Sequence, residues 1–184
     1  MRLTLDGDSR AARALFHAVG PIFVRTARRT LGKSHPELED FVQEASLRFY
    51  TSLPAFRGDS HVRRYAYRIA VHASADWIRR KTALKRERIS GPIPSDAAAP
   101  ALTEDVLRRR RIGELLAANL SSTQLETFLY RTVLGCSLDE VAEMTGAPSN
   151  TVRSRLRLAR EALQRAFAAD PSLRELLDLP EEAS

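Results

Sequence analysis

Apolar residues recur at intervals of three and four along most of this chain, a spacing that predicts amphipathic helices. The clearest stripe lies towards the C-terminus and consists of Val152, Leu156, Ala159, Leu163 and Phe167. Helix-forming residues dominate the composition, glycine is sparse, and no strand-like alternating runs stand out. These patterns together predict an all-α protein.

Residues 137–167 predict two helices joined by a tight turn. Ser137 and Glu140 form a capping box at the start of the first helix, because each side chain can satisfy a backbone N–H of the other's turn. Gly146 supplies the left-handed residue that ends this helix, and Ser149 is a suitable N-cap for the second. A short helix that positions a longer one in this way is the helix-turn-helix arrangement that fits a DNA major groove.

The second of these helices is basic, with five arginines and one glutamate between Ser149 and Ala168. Its charge alone favours the ordinary interpretation of a solvated basic face. The series of cap, glycine turn and cap favours instead a helix that reads DNA. The residues predicted to lie at the DNA are Ser149, Asn150, Thr151, Arg153, Ser154, Arg157 and Arg160.

The first half of the chain begins with a predicted helix that starts at Asp8 or Ser9. Pro21 must kink or restart this helix, since proline removes a helical hydrogen bond, and Gly32 ends it. A second helix spans Ser34 to Ser52, with Ser34 as its cap.

This second helix has two different faces. Its buried stripe consists of Leu38, Phe41, Val42, Ala45 and Phe49, and its outward stripe is acidic. The outward stripe is either a solvated face, which is the usual role of a run of charges, or a docking site for a basic or mixed partner helix. The residues predicted for docking are Glu39, Asp40, Gln43, Glu44 and Leu47.

A loop at residues 54–61 and a third helix, roughly Val62 to Arg86, interleave aromatic side chains with arginines. This composition suits single-stranded nucleic acid, because arginines follow the phosphates and each stacked base contributes ~1–3 kcal/mol. The alternative is that the aromatic residues belong to the core. For Tyr65 and Trp77, core packing is the favoured interpretation.

Residues 89–101 contain three prolines, a glycine and no basic residue, which predicts a linker. A tether of about 15 residues spans ~20–25 Å as a coil and at most ~50 Å when extended, so domains on either side could occupy separated sites on one duplex.

The linker is followed by a predicted helix from Thr103 to Asn119, with Leu107 among its packed residues. Ser121 and Gln124 then form a second capping box. The predicted divisions are helical domains at 1–88 and 103–169, a linker at 89–102 and an acidic tail at 170–184.

Composition and charge narrow the range of possible functions. The 184 residues carry a formal charge of +6, and residues 1–88 hold 18 basic against 9 acidic side chains. Local basic patches of this kind suit a polyanion, although solubility alone is the competing explanation. Cys136 is the only cysteine and is expected to be a packing residue, and the four histidines show no paired spacing, so no metal or cofactor is expected. No signal peptide or membrane-spanning run is evident, which predicts a cytosolic protein without membrane insertion.

Taken together these stretches resemble a sigma factor of the sigma-70 family, in the two-domain extracytoplasmic-function class. The resemblance rests on four motifs in order, which are LFHAVGPIFVRTARRTLG, ELEDFVQEASLRFY, FRGDSHVRRYAYRIAVHASADWIRR and LSSTQLETFLYRTVLGCSLDEVAEMTGAPSNTVRSRLRLAR. It implies that EDFVQE docks on the β′ clamp helices of core RNA polymerase and that the last helix reads the promoter −35 element. Further implied partners are the polymerase β flap, promoter DNA and an anti-sigma factor, which could hold the chain at the inner membrane.

The resemblance also implies that the FRGDS loop and the helix through DWIRR open the −10 element and hold a flipped base. The residues implied are Phe56, Arg57, Asp59, Ser60, Arg64, Arg68, His72, Asp76, Trp77, Arg79 and Arg80. His72 stands where many members of the family have asparagine, Asn150 replaces a common glycine, and Ser121 replaces a common proline.

Two other classes of function compete with this one. A stand-alone helix-turn-helix regulator, with a ligand-sensing N-terminal half, leaves the acidic docking stripe without a role. An enzyme such as a nuclease is disfavoured, since the sequence shows no paired carboxylates with metal-ligand spacing and no Ser/His/Asp set.

Overall fold

The computed structural model describes residues 9–56, 58, 61–90 and 102–170, and within them it contains seven α-helices. The predicted all-α fold is confirmed. The helices are α1 (Ser9–Leu31), α2 (Leu38–Ser52), α3 (Val62–Ser90), α4 (Glu104–Asn119), α5 (Ser122–Thr132), α6 (Leu138–Thr145) and α7 (Ser149–Ala169). A 3-10 turn, Leu53–Ala55, follows α2.

Helices α1 to α3 form an N-terminal bundle around an aromatic core. The Phe23 and Phe49 ring centroids lie 5.8 Å apart, and those of Phe49 and Tyr65 lie 5.9 Å apart. Between α1 and α3, the buried hydroxyls of Thr30 and Ser74 hydrogen bond at 3.1 Å. The apolar stripe predicted for α2 is confirmed at Phe41, Ala45 and Phe49, which are buried, while Leu38 and Val42 are half-buried.

Helix α1 is continuous through Pro21, so of the two predicted outcomes, a kink or a restart, the restart does not occur, and Ile22 and Phe23 just after the proline are buried in the core. One predicted helix boundary in this bundle is wrong. Helix α2 starts at Leu38 rather than near Ser34. The Glu37 backbone N–H donates instead to Nδ1 of His35, so turns occupy the residues where the first helical turn was expected.

Helices α4 to α7 form a C-terminal bundle. Both predicted capping boxes are present, Ser121 with Gln124 at α5 and Ser137 with Glu140 at α6. Gly146 ends α6 at a φ of 65°, in the left-handed conformation expected for it. Ser149 is not the cap of α7 but its first residue, since Pro148 holds the N-cap position, and Leu107, expected to be packed, is 45% exposed.

Replacing Ser137 with alanine is expected to lower the free energy of unfolding by about 1 kcal/mol. The change removes the hydroxyl that accepts from the Glu140 backbone N–H at 3.2 Å and leaves that donor without its cap. Urea denaturation followed by circular dichroism measures the difference. Ser122→Ala, at the exposed first residue of α5 next to the cap Ser121, serves as the control, and equal loss in both variants would contradict the assignment.

The two bundles lie against each other rather than apart, which the predicted tether did not anticipate. Helix α3 packs on α1 and α2 from one side and on α4 and α5 from the other. Gly113 on α4 faces Ile78 on α3 at this contact, where a Cβ would lie at an ordinary van der Waals distance of 3.6 Å. Helix α3 also continues to Ser90, four residues beyond its predicted end, and predicted linker residues 91–101 lie outside the described part of the chain.

Candidate nucleic-acid and partner interfaces

Helix α7 separates an apolar face from a basic one. Val152, Leu156, Ala159 and Leu163 are at most 7% exposed, as the stripe predicts, and Phe167 is half-buried. Of the seven residues predicted to lie at DNA, five are exposed and two, Ser149 and Thr151, are half-buried; the exposed ones are Asn150, Arg153, Ser154, Arg157 and Arg160.

Two hydrogen bonds orient two of the arginine side chains on this basic face. Arg153 Nη1 donates to Asn150 Oδ1 at 3.0 Å, which directs the guanidinium towards the start of the helix. Arg157 Nη1 lies 2.5 Å from Glu161 Oε1 and is drawn towards the following turn. Because a major groove admits one helix and an Arg side chain can pair with guanine there, the exposed beginning of α7 has the shape and charge for base readout.

The preceding helix fixes α7 in place. Val141 on α6 is fully buried, and Ser149 Oγ donates to Asp139 Oδ1 at 3.3 Å. Cys136, just before α6, is 7% exposed, which agrees with the packing role predicted for it. These contacts hold α6 and α7 together, and α7 is the basic helix of the pair.

The residues predicted for docking lie together along α2. Glu39, Asp40 and Gln43 are exposed, and Leu47 is 62% exposed, the largest exposure among the large apolar residues described. An isolated exposed leucine is ordinary, but this one extends a row of acidic and amide groups along one helix face. The combination is suited to a partner helix that offers apolar and basic side chains.

Glu44 departs from the other docking residues, because it is half-buried and bonded to α3. Its carboxylate accepts two hydrogen bonds from Arg80, at 3.2 and 2.9 Å, and one from Arg48 at 2.6 Å. Arg48 also donates to Asp76 at 2.6 Å. The hydrogen bond from Arg80 is the main reason that the pKa of Glu44 is lowered. The predicted docking surface and the predicted −10 surface are therefore joined through one ion-pair network.

A second polar cluster surrounds Trp77. The indole is 8% exposed and its Nε1 donates to Glu37 at 3.3 Å, while Lys81 contacts the other oxygen of Glu37 at 2.5 Å. The His35 ring stands edge-on to Trp77 with centroids 5.3 Å apart. Trp77 is thus buried in the core, which confirms the interpretation favoured from its place in the stripe.

Stability is expected to fall between pH 7 and pH 5.5 because of His35. Burial lowers the pKa of His35, and this outweighs the opposing effect of nearby Glu37. The unfolded chain therefore binds a proton near pH 6.5 where the folded chain does not, so the free energy of unfolding decreases as pH falls below that value. Denaturation at several pH values should show a shallower decrease in His35→Asn. The exposed His17→Asn is the control, and equal slopes in all three proteins would contradict this role.

The start of α3 carries the remaining predicted −10 residues. Phe56 packs on Tyr65 with ring centroids 4.8 Å apart, and the Arg68 guanidinium lies 5.1 Å from the Tyr65 ring centroid. Arg64 and His72 point at the C-terminal bundle and contact acidic residues there. Arg79 is half-buried, and Arg57, Asp59 and Ser60 lie outside the described residues.

A basic cleft on α1 was missed in the sequence. It has a volume of about 860 Å³, its apolar lining includes Phe16 and Pro21, and no acidic side chain is among its described lining residues. Five basic side chains line it. Three are on α1, one is in the turn after α1 and one is on α3; they are Arg25, Arg28, Arg29, Lys33 and Arg63. The i, i+3, i+4 spacing of the first three could have revealed it.

The part of the chain that the structure describes holds neither a clustered metal site nor a membrane-spanning helix. Across residues 9–56, 58, 61–90 and 102–170, no group of three or more His, Cys, Asp or Glu side chains is arranged to hold a metal ion. Among the helices of that same part of the chain, none is both long enough and apolar enough to span a bilayer.

Comparison with protein families matches both bundles. The model for Sigma-70 region 2 matches residues 15–83, and the model for Sigma-70, region 4 matches residues 110–163. Among curated proteins, the ECF RNA polymerase sigma factor SigD of Mycobacterium tuberculosis is 30% identical over 154 residues, which are 80% of this chain and 72% of SigD. The ECF RNA polymerase sigma-E factor of Escherichia coli K12 is 29% identical over 140 residues, covering 69% of this chain and 72% of that protein.

Two solved structures share the fold. CnrH, in complex with the cytosolic domain of CnrY, aligns with a TM-score of 0.55 and 22% identity over 90% of this chain and 92% of its own. The sigma factor RpoE of Bartonella quintana, in complex with the anti-sigma factor NepR, aligns with a TM-score of 0.50 and 21% identity, over 88% of this chain and 99% of its own.

Proposed function

Because this chain belongs to the sigma-70 family, in its extracytoplasmic-function class, and directs transcription initiation by RNA polymerase as a non-enzymatic factor, we propose how its surfaces divide that work. The N-terminal bundle, residues 1–88, docks on core polymerase and holds the melted −10 strand. The C-terminal bundle, residues 103–169, reads the −35 element. Residues 89–102 connect the two, and residues 170–184 form an acidic tail.

The observation that carries this division is the separation of two unlike surfaces. An acidic row with an exposed leucine lies on α2, and the basic start of α7 lies on the other bundle. A protein that only bound DNA would have no use for the first of these. Core polymerase docks on the acidic row of α2, which consists of Glu39, Asp40, Gln43 and Leu47. Arg153 and its neighbours read the −35 element. Each surface then has a partner of complementary charge.

The −10 contacts are proposed for the loop and the N-terminal half of α3. Phe56, which already stacks on Tyr65, is placed to receive an extruded base, and Arg64, Arg68 and His72 follow it along one helix face. Asp76 and Arg80 are engaged with Arg48 and Glu44, so we assign them to positioning between the docking and strand-binding surfaces.

The proposed partners include an anti-sigma factor. Two proteins with this fold were solved in complexes, one with the anti-sigma factor NepR and the other with the cytosolic domain of CnrY. We propose that a comparable factor binds this chain in the cytoplasm and can retain it at the inner membrane.

Run-off transcription with purified core polymerase over a promoter library tests the proposal. The expected result is initiation at a subset of promoters that share −35 and −10 elements, and only when the chain is added. A gel shift with duplex promoter DNA separates this function from that of a stand-alone regulator. Specific binding without polymerase, together with no transcript in its presence, would identify a regulator and overturn the proposed division of work.

A further inference from the structure

The basic cleft on α1 lies outside the surfaces that we assign to promoter DNA and to polymerase. It is lined mainly by α1, and Arg63 enters it from the start of α3, where its Nη1 donates to the Ala18 carbonyl at 3.5 Å. Its volume of about 860 Å³ falls within the range of small-molecule sites. Along α1 the apolar lining residues precede the basic ones, so the cleft has an apolar end and a basic end.

The basic end retains its positive charge. Arg25 Nη2 donates to the Tyr67 hydroxyl at 2.8 Å and Arg29 Nη1 donates to the Val133 carbonyl at 2.5 Å, and both of these acceptors are neutral. Among the described residues, no carboxylate forms a salt bridge with any of the five basic side chains of the cleft, whereas arginines on α2, α3, α4 and α7 do form such bridges. The cleft therefore attracts anions.

The spacing of the basic side chains suits a short chain of phosphates. Arg25, Arg28 and Arg29 stand at i, i+3 and i+4, so they are neighbours on one face of the helix. A guanidinium fork can donate two parallel hydrogen bonds to one phosphate group. Arg28 and Lys33 are exposed and, within the described part of the chain, have no hydrogen-bond or ion-pair partner, so their donors are available.

The apolar end suits a nucleobase. Phe16 is 46% exposed and its ring stands beside Gly20, where a Cβ would lie 3.5 Å from the ring atoms. Pro21 has no N–H to donate to the His17 carbonyl four residues earlier, so this lining residue lacks that helical hydrogen bond. A base can stack on an exposed aromatic ring and donate an N–H to a carbonyl beside it. Guanine, which carries an amino donor on one edge, matches both features.

We propose that the basic cleft binds a nucleoside polyphosphate, with its base on Phe16 and its phosphates on the cations that follow along α1. The inference goes beyond the proposed function and does not rest on it, because none of the cleft residues is assigned to the promoter or to polymerase. It gives the N-terminal bundle a site for a small-molecule effector, through which the concentration of a nucleotide could act on this chain.

Isothermal titration calorimetry of the full chain with GTP, at physiological ionic strength, tests the site. The expected result is saturable binding of one nucleotide per chain. Guanosine and inorganic tripolyphosphate are the component probes, since each of them can fill only one end of the cleft. Both should bind about 10-fold or more weakly than GTP, because neither combines the stacking contact with the phosphate contacts.

Two variants separate the two ends of the cleft. Arg28→Ala/Lys33→Ala should weaken GTP binding about 10-fold or more through the phosphates, and Phe16→Ala should weaken it about 5-fold or more through the base. Phe16→Ala should leave the affinity for tripolyphosphate unchanged. The charge control is Arg111→Ala/Arg165→Ala, which removes two exposed cations that do not line the cleft and should change GTP affinity by less than about twofold. Circular dichroism verifies the fold of every variant.

Three results would overturn the nucleotide site. They are equal affinities for GTP and tripolyphosphate, equal weakening in the charge control, and the absence of saturable GTP binding. In the last case, anisotropy of a fluorescein-labelled mixed-sequence oligonucleotide shows whether the same variants weaken the binding of single-stranded DNA instead, which would make the cleft a contact for the strand. Failure of the proposed function is recognised separately, as absence of transcripts from the unchanged chain with core polymerase.

Discussion

Replacing Leu47 with aspartate is expected to weaken the binding of core RNA polymerase by about 30-fold or more. Leu47 is 62% exposed and continues the acidic row of α2, so it is the apolar anchor that this surface offers to a partner. Truncating or charging the anchor at the centre of an interface costs about 2 kcal/mol or more, which corresponds to the expected change in affinity. Surface plasmon resonance with immobilised core enzyme provides the measurement.

Leu107→Asp is the matched control for this prediction. Leu107 is 45% exposed and lies on α4, in the other bundle, so the same change there should leave polymerase affinity within about twofold. Because both positions are exposed, thermal unfolding should be nearly unchanged in either variant. Equal weakening by the two substitutions would contradict the assignment of α2 as the docking surface.

Replacing Arg153 with alanine is expected to reduce initiation from the preferred promoter by about 5- to 150-fold. A well-placed Arg–guanine pair discriminates by ~1–3 kcal/mol, and Arg153 lies exposed at the beginning of α7 with its guanidinium held by Asn150 at 3.0 Å. Run-off transcription on promoters that differ only in the −35 element measures the loss. Selectivity among those elements should fall together with the yield.

Arg165→Ala separates base readout from general charge. Arg165 is also exposed on α7, three turns further along and remote from the start of the helix, and its loss removes the same charge. This variant should retain promoter selectivity and lose yield only slightly. Unchanged selectivity in Arg153→Ala would show that the reading helix has been assigned to the wrong residues.

Local features of the fold could be predicted from the sequence because short-range chemistry determines them. The capping boxes at Ser121 and Ser137 and the left-handed Gly146 each involve residues within a few positions of one another. The start of α2 was misplaced because the Glu37 N–H finds its acceptor on His35, a local bond outside the usual capping patterns.

The interface between the bundles could not be predicted from helical periodicity. Its contacts join residues that are distant in sequence, such as Arg64 with Glu143 and Ile78 with Gly113. A periodic pattern shows that α3 has an apolar face but not how many neighbours cover it, and α3 is covered from two sides. The ion pair of Glu44 with Arg80 could not be predicted for the same reason. In the sequence, each of the two residues occupies a position expected for an exposed charge.

The burial of Cys136 has a consequence for oxidative conditions. Burial raises the pKa of this thiol to about 11, so at neutral pH very little thiolate, the form that reacts with peroxides and disulfides, is present. Since the chain has no other cysteine, the folded protein contains almost no thiolate that an oxidant could attack. Activity should therefore withstand hydrogen peroxide at concentrations that modify exposed cysteines, and a redox signal would have to reach this factor through another molecule.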